Sequence, residues 1–326
     1  MRTFTKAVAL ATVSTLLSVG GAFAANWTLG VNTALTTDDP TYKGLESFQQ
    51  GVAKATNGEV EIRLFPGSQL GKDEDVLEQA RAGANVAVIV DGGRLALFTK
   101  ELGILAAPYI VDTYEEARKV VTSPMFEGWV EKLRKASGHQ ILSFNWYQGS
   151  RHLLTNKPIK VPADLAGIRM RTPGAPVWME TIRAIGATPT PMGWTEVYSA
   201  LQQKVIDGAE AQLPAVHGAR LYEVVKNVTE TGHFFLITGL VTGAAWFDSL
   251  PEKHRKALRE EALKAGDMAS HGTMDSIAGY KQKMQEAGVA FATPDLKPFK
   301  DASKVVYDKL DLNDLKAQVD GVLGRK

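Results

Sequence analysis

Two arginines, Arg151 and Arg171, are the residues whose type and setting most clearly suggest chemistry. Arg171 closes a strand-like segment, Gly167 to Arg171, just before a Thr172-Pro173 turn, and Asp207-Gly-Ala-Glu210 follows at the tip of the next βα unit. A guanidinium is a planar donor fork, charged at any accessible pH, that matches a carboxylate in bidentate geometry. Arg169 shares a strand face with Arg171, so one of the two belongs at the cleft end of the strand. Spacing alone leaves two readings of Arg171 open, an anion clamp and a salt bridge between lobes.

The chain offers little for catalysis. It has no Gly-x-Ser-x-Gly elbow and no His-Glu-x-x-His motif. Its six histidines lack metal-ligand spacing. His152 adjoins Arg151 but reads first as structural. Gly67-Ser-Gln-Leu-Gly71-Lys72 imitates a phosphate loop with one residue too few between its glycines, and Asp73 stands where a magnesium-binding hydroxyl belongs. Capture of an anion therefore outweighs chemistry on it, and no cofactor is expected.

The elements that must position these arginines alternate between strand and helix. Strand patterns cover Trp27–Asn32, Val60–Phe65, Val86–Val90, Gln140–Asn145, Arg151–Leu154, Gly167–Arg171 and Val205–Asp207. Helical patterns cover Pro40–Thr56, Asp73–Ala82, Thr113–Thr122, Phe126–Ala136, Ala175–Ile185 and Thr195–Gln203, the last with Thr195 as its N-cap. Pro251–Glu286 is the longest, about 54 Å if unbroken, so it spans two domains or breaks near Gly272. The uninterrupted apolar run at Val86–Val90 marks a parallel strand buried on both faces. This alternation predicts an α/β fold with doubly wound sheets. Ligands in such sheets sit beyond the carboxyl ends of strands. Asp91, Trp146 and Arg171 fall at such ends, and Arg94 joins them one turn after Asp91. Trp194 and Phe247 lie at ends of elements where aromatic side chains can wall a pocket.

The first residues read as an export signal. Arg2 and Lys6 precede an apolar run, and Ala22-Phe-Ala24 is a cleavage site, so processing is expected near Ala24-Ala25. Without Arg2 and Lys6 the 37 basic residues become 35, against 36 acidic, a formal charge of −1 that argues against nucleic acid as partner. No cysteine is present. A chain of 326 residues buries enough core to do without disulfides, which suits a periplasm.

Residues Asn57–Gly83 and Lys157–Glu210, with Trp246-Phe-Asp-Ser-Leu-Pro251, resemble the periplasmic solute-binding proteins of tripartite ATP-independent (TRAP) transporters. The resemblance implies a type II periplasmic-binding-protein-like fold: two α/β lobes around a ligand cleft, with a long interlobe helix. The expected division is a signal peptide at 1–24, lobe I from 25–148 plus 237–276, and lobe II from 149–236 plus 277–326. By the same resemblance Arg171 holds the ligand carboxylate bidentately, Arg151 is a second arginine seen in many members, and Trp194 presents an aromatic over the ligand. It also implies delivery of a small organic carboxylate to TRAP membrane permease subunits driven by an ion gradient, with no enzymatic step.

Two departures narrow the ligand. Ala211 and Gly174 stand where sialic-acid-binding members carry asparagines, which argues against sialic acid, and Gln212 offers a replacement amide. Few amides and several aromatics point to an acid with an apolar or aromatic body over a heavily hydroxylated one. The rival readings are a ligand-sensing module for a receptor and an exported α/β hydrolase.

Overall fold

A computed structural model describes residues 26–325, so the expected export signal lies outside the described residues. The first lobe runs β1 (Trp27–Asn32), α1 (Pro40–Ala55), β2 (Val60–Phe65), α2 (Asp73–Arg81), β3 (Val86–Asp91), α3 (Gly92–Leu95), α4 (Tyr114–Val121) and α5 (Pro124–Ser137). Local chemistry sets these boundaries. Asp39 caps α1 by accepting from Thr41 N at 2.8 Å, and Pro40 fills the first turn, where its missing N–H costs nothing. Ser123 caps α5, and Gly138 ends it at φ 71°, a conformation that glycine adopts without strain.

β4 (His139–Thr155) then carries the chain into the second lobe. There follow β5 (Arg169–Thr172), α6 (Pro176–Ala184), β6 (Thr188–Pro191), α7 (Val197–Gln202), β7 (Gly208–Gln212) and α8 (Leu213–Gly218). β8 (Asn227–Gly243) returns antiparallel to β4. Next come α9 (Ala244–Asp248), α10 (Glu252–Glu286), β9 (Ala290–Ala292), α11 (Lys297–Ser303), α12 (Val305–Lys309) and α13 (Asn313–Leu323). All strands belong to one sheet of order β2-β1-β3-β8-β4-β7-β5-β6, with β9 beside β8. The outer strands of each lobe pair in parallel, β1 with β2 and β3, and β5 with β6 and β7. The two 17-residue strands β4 and β8 are common to both lobes. Their ladder shifts register at four places, between Ile141 and Ser143, Ser143 and Trp146, Tyr147 and Gly149, and Arg151 and Leu153.

The sheet is covered on both faces, as the apolar run in β3 requires. Val88 and Val90 enter one core cluster while Ala87 and Ile89 enter another. α10 is a single 35-residue helix with no break at Gly272, about 53 Å long. Its buried face is small: Ala262, Ala265, Gly266, Ala269 and Ser270 let α1 and β4 approach closely. A Cβ on Gly44 of α1 would stand 2.6 Å from Ala269 Cβ.

Three boundaries differ from expectation. The two short strands expected at Gln140–Asn145 and Arg151–Leu154 are one strand, because β8 pairs along its whole length. Val205–Asp207 is a turn after Lys204 (φ 57°), and the strand begins at Gly208, where small residues let β7 lie between β4 and β5. Thr195 caps nothing; Trp194–Glu196 forms a 3₁₀ turn that leads into α7. Within 277–326, expected in lobe II, β9 pairs with β8 and α11 and α12 pack on α6, but the end of the chain reaches lobe I. α13 packs on α4, Tyr307 Oη donates to Pro108 O at 2.6 Å, and Arg325 pairs with Glu116 at 2.5 Å.

Candidate functional site

Arg171 sits at the carboxyl end of β5, between β6 and β7, where Pro173 withdraws a backbone donor and stops the ladder. Its side chain is 1% exposed. Nε and Nη2 donate to the Met192 carbonyl at 3.0 and 2.7 Å, and the guanidinium lies 5.3 Å from the Trp194 ring centre. Among the described residues no carboxylate stands within 4.0 Å of it. The remaining terminal nitrogen, Nη1, has no hydrogen bond among the described residues, and Arg171 is part of the cleft lining. Burial, then the neighbouring Arg151 charge, lower its pKa to about 9. It still holds its proton at neutral pH, as a buried cation with no carboxylate in contact, Glu210 acting on it only from beyond pairing distance. Arg169, on the same strand, pairs with Asp207 at 2.8 Å on the exposed far side. Which of the two arginines faces the cleft is thereby decided.

Arg151 is buried too, but its partners are built in. Nη2 donates to Glu210 Oε1 and O at 2.8 and 2.6 Å, Nε pairs with Oε2, and Nη1 donates to Gln212 Oε1 at 2.9 Å. Thr172 Oγ1 adds a bond to Glu210 Oε1 at 3.0 Å. The antiparallel register of β4 on β7, with Arg151 opposite Gln212, makes this geometry. Gln212 Nε2 donates to Gln148 Oε1 and Gln148 Nε2 to Thr238 Oγ1, both at 3.1 Å, so a row of fixed amides and a hydroxyl floors the cleft.

The first lobe supplies the facing wall. Asp91 at the end of β3 accepts from Arg94 N at 3.0 Å, pairs with the Arg94 guanidinium, and accepts from Trp178 Nε1 of α6 at 2.9 Å. Burial works against the Asp91 carboxylate, but Arg94 and Trp178 outweigh it and hold its pKa down. Arg94 also meets Glu74 at 2.7 Å and Asp73 at 3.5 Å. Burial pushes Asp73 up to about 6, and its Oδ1 has no partner. Gly93 is needed here: a Cβ would collide with the Trp178 indole that reaches across from the other lobe.

Of the residues expected at the site, the structure brings together Arg171, Arg151, Trp194, Asp91, Arg94 and Gln212 around one cleft. Four lie elsewhere. Trp146 is fully buried on the opposite sheet face, its Nε1 donating to Ser143 Oγ, because irregular pairing in β4 turns it away. Phe247 of α9 packs in that same core, with Arg259 over its ring. Ala211 faces away from Gln212 along β7 and joins a core cluster of lobe II. Gly174 is exposed in the loop after β5 and outside the lining. His152 is half-buried and outside the cleft lining, accepts from Gly232 N at 3.1 Å, and is pushed down to about 4 by desolvation.

Of the expected aromatic walls Trp194 lines the cleft, and Trp178, outside that expectation, joins it. Sequence reasoning missed Asp73, Gln148, Trp178, Thr33 and Thr238, which also line the cleft. Asp73 heads α2 directly after a strand-to-loop segment, a signal read only as the failure of a phosphate loop. The lining is evenly divided between polar and apolar residues, so the cleft presents fixed amides, a hydroxyl and carboxylates beside the two indoles.

Residues 31–313 match the family described as bacterial extracellular solute-binding protein, family 7. The chain belongs to this family. A TRAP periplasmic solute-binding protein from Escherichia fergusonii, in an apo open form, is 45% identical, covers 91% of this chain and 99% of its own, and superposes with a TM-score of 0.80. One from Ochrobacterium anthropi with bound L-fuconate is 34% identical, covers 90% and 100%, and reaches 0.87. A sialic acid-binding periplasmic protein of Vibrio cholerae is 26% identical over 96% of both chains. Between the two solved structures, the one with less sequence in common is closer in shape, and it is the ligand-bound one. Contacts across the cleft mouth agree with a closed arrangement here: Lys72 Nζ meets Glu196 Oε1 at 2.5 Å, and Trp178 reaches Asp91.

Proposed function

We propose that this family 7 protein captures a hydroxylated sugar acid in the periplasm, a hexonate or hexuronate, and delivers it unchanged to a TRAP membrane permease. The observation that carries this reading is Arg171, a buried guanidinium with one edge free in the cleft and no carboxylate of its own. A ligand carboxylate supplies the missing charge, and closure removes the pair from water, which strengthens its charge-assisted bonds. Gln148, Gln212 and Thr238 on the floor, with Asp73 opposite, offer the donors and acceptors that several hydroxyls require. Solved relatives bound to L-fuconate, L-galactonate and D-glucuronate support the ligand class.

Because ligand contacts come from both lobes, the ligand favours the closed state by binding it preferentially. A permease that recognises that state then receives loaded protein. Calorimetric titration with galactonate, glucuronate and a set of aromatic and branched acids tests the ligand class. Tight binding of the sugar acids is expected. Binding confined to aromatic or branched acids would overturn it.

A further inference from the structure

Beside the inner cleft, the seam between the lobes widens into a second chamber that the reading above does not use. Thr36 and Asp39, ahead of α1, wall it on one side, and Tyr198, Gly218 and Ala219 wall it on the other. Leu35, Ala34, Trp194 and Ala215 border both chambers, so the indole beside Arg171 also faces this outer space. The space open to the centre of a water molecule is about 60 Å³ in the inner chamber and about 240 Å³ in the outer. The inner one is closely fitted around its polar groups, while the outer one has room for a further ring.

Composition indicates what kind of ring. Trp194 and Tyr198, both half-buried, offer flat apolar surfaces of the sort on which the C–H face of a pyranose packs. Alanine and glycine at 34, 67, 215, 218 and 219 keep the rest of the lining low. The polar groups are the Thr36, Thr195 and Tyr198 hydroxyls and Asp39, and no lysine or arginine is among the lining residues. A second carboxylate would meet Asp39 with no cation to offset it, whereas a neutral sugar would bring hydroxyls to it.

We infer that the outer chamber is a second sugar subsite, and that the protein takes acidic disaccharides in which a uronic acid is joined to a neutral sugar. The acid lies on Arg171 and the neutral ring lies between Trp194 and Tyr198. This rests on the sugar-acid reading of the inner cleft.

The test is titration of the full mature protein with glucuronate, galacturonate, digalacturonate and a set of aldobiouronates of different linkage. Expected is binding of at least one aldobiouronate as tightly as the monomers or tighter, with digalacturonate weaker by about tenfold or more. Ala219→Phe, which fills the outer chamber, and Tyr198→Ala, which removes one platform, should each weaken the aldobiouronate by about tenfold and leave monomer affinity within about twofold. Retained monomer binding also shows that each variant is folded. Monomer binding with no aldobiouronate bound, or equal losses for monomer and dimer in both variants, overturns the second subsite and leaves the sugar-acid reading standing. Failure of every sugar acid overturns both.

Discussion

Arg151 and Arg171 lie in the same lobe at one cleft, and they differ in what the chain provides for them. Arg151 has Glu210 on two edges and Gln212 on a third. Arg171 has a backbone carbonyl, an aromatic ring and open space. A buried cation with its counter-ion belongs to the architecture. One without it carries a desolvation cost that an incoming anion would relieve, which is why we propose the unpaired arginine as the receptor and the paired one as its support. The facing wall has the opposite bias, with Arg94 outnumbered by Asp73, Glu74 and Asp91. On the proposed function, a sugar acid would meet a positive end and a negative end, its carboxylate towards β5 and its hydroxyls towards β3.

Breaking the two arginines should give opposite results. Arg151→Met leaves Glu210 buried and unpaired, at a cost of about 3–5 kcal/mol of folding stability by urea denaturation. Adding Glu210→Leu should recover most of that loss, and no recovery would mean that Arg151 stabilises through something besides the pair. Arg171→Met removes an unpaired charge, so stability of the ligand-free protein should hold or rise. Its affinity for glucuronate should fall by about 2–5 kcal/mol in calorimetry. Unchanged affinity would strip Arg171 of its role.

The acidic wall predicts a pH dependence. The Asp73 pKa is raised to about 6 from 3.8, so between about pH 4 and 6 the folded chain holds a proton that the unfolded chain has released. Its contribution is complete below pH 4 and is lost as the pH rises through 6. Asp73→Asn should flatten the stability profile in that window by about 1–3 kcal/mol relative to the parent. Asp39, raised in the same direction, and His152, lowered, are present in both proteins and cancel in that difference. The smallest effect is expected at Lys72. Its pair with Glu196 joins the lobes, but both side chains are about half exposed, so Lys72→Ala should change stability and affinity by at most about 1 kcal/mol. A larger loss of affinity would make that pair part of closure.

The strand-end rule found Arg171 and Asp91, because a short strand stopped by a turn exposes its last side chain wherever the lobes meet. It failed at Trp146 for a physical reason. Side-chain parity along a strand holds only while the ladder is regular, and β4 is irregular on both sides of Trp146. The contrast between the two arginines was hidden for another reason. Glu210 reaches Arg151 only through the register of β4 on β7, a pairing across more than fifty residues that local pattern does not encode. Trp178 lies inside the α6 pattern with no strand end or motif to single it out, and it is packed in a core. Only the glycine at position 93, in the other lobe, makes room for its indole at the cleft.

The four register shifts between β4 and β8 have a mechanical consequence. Each removes or skews rungs of the ladder, and a ribbon bends most cheaply where rungs are missing. They cluster around the crossing between lobes, while α10 behind stays unbroken as a stiff spar. The crossing thus pairs an irregular twin ribbon with a stiff rod, so that any swing of the lobes would flex about the places where those irregular rungs fall.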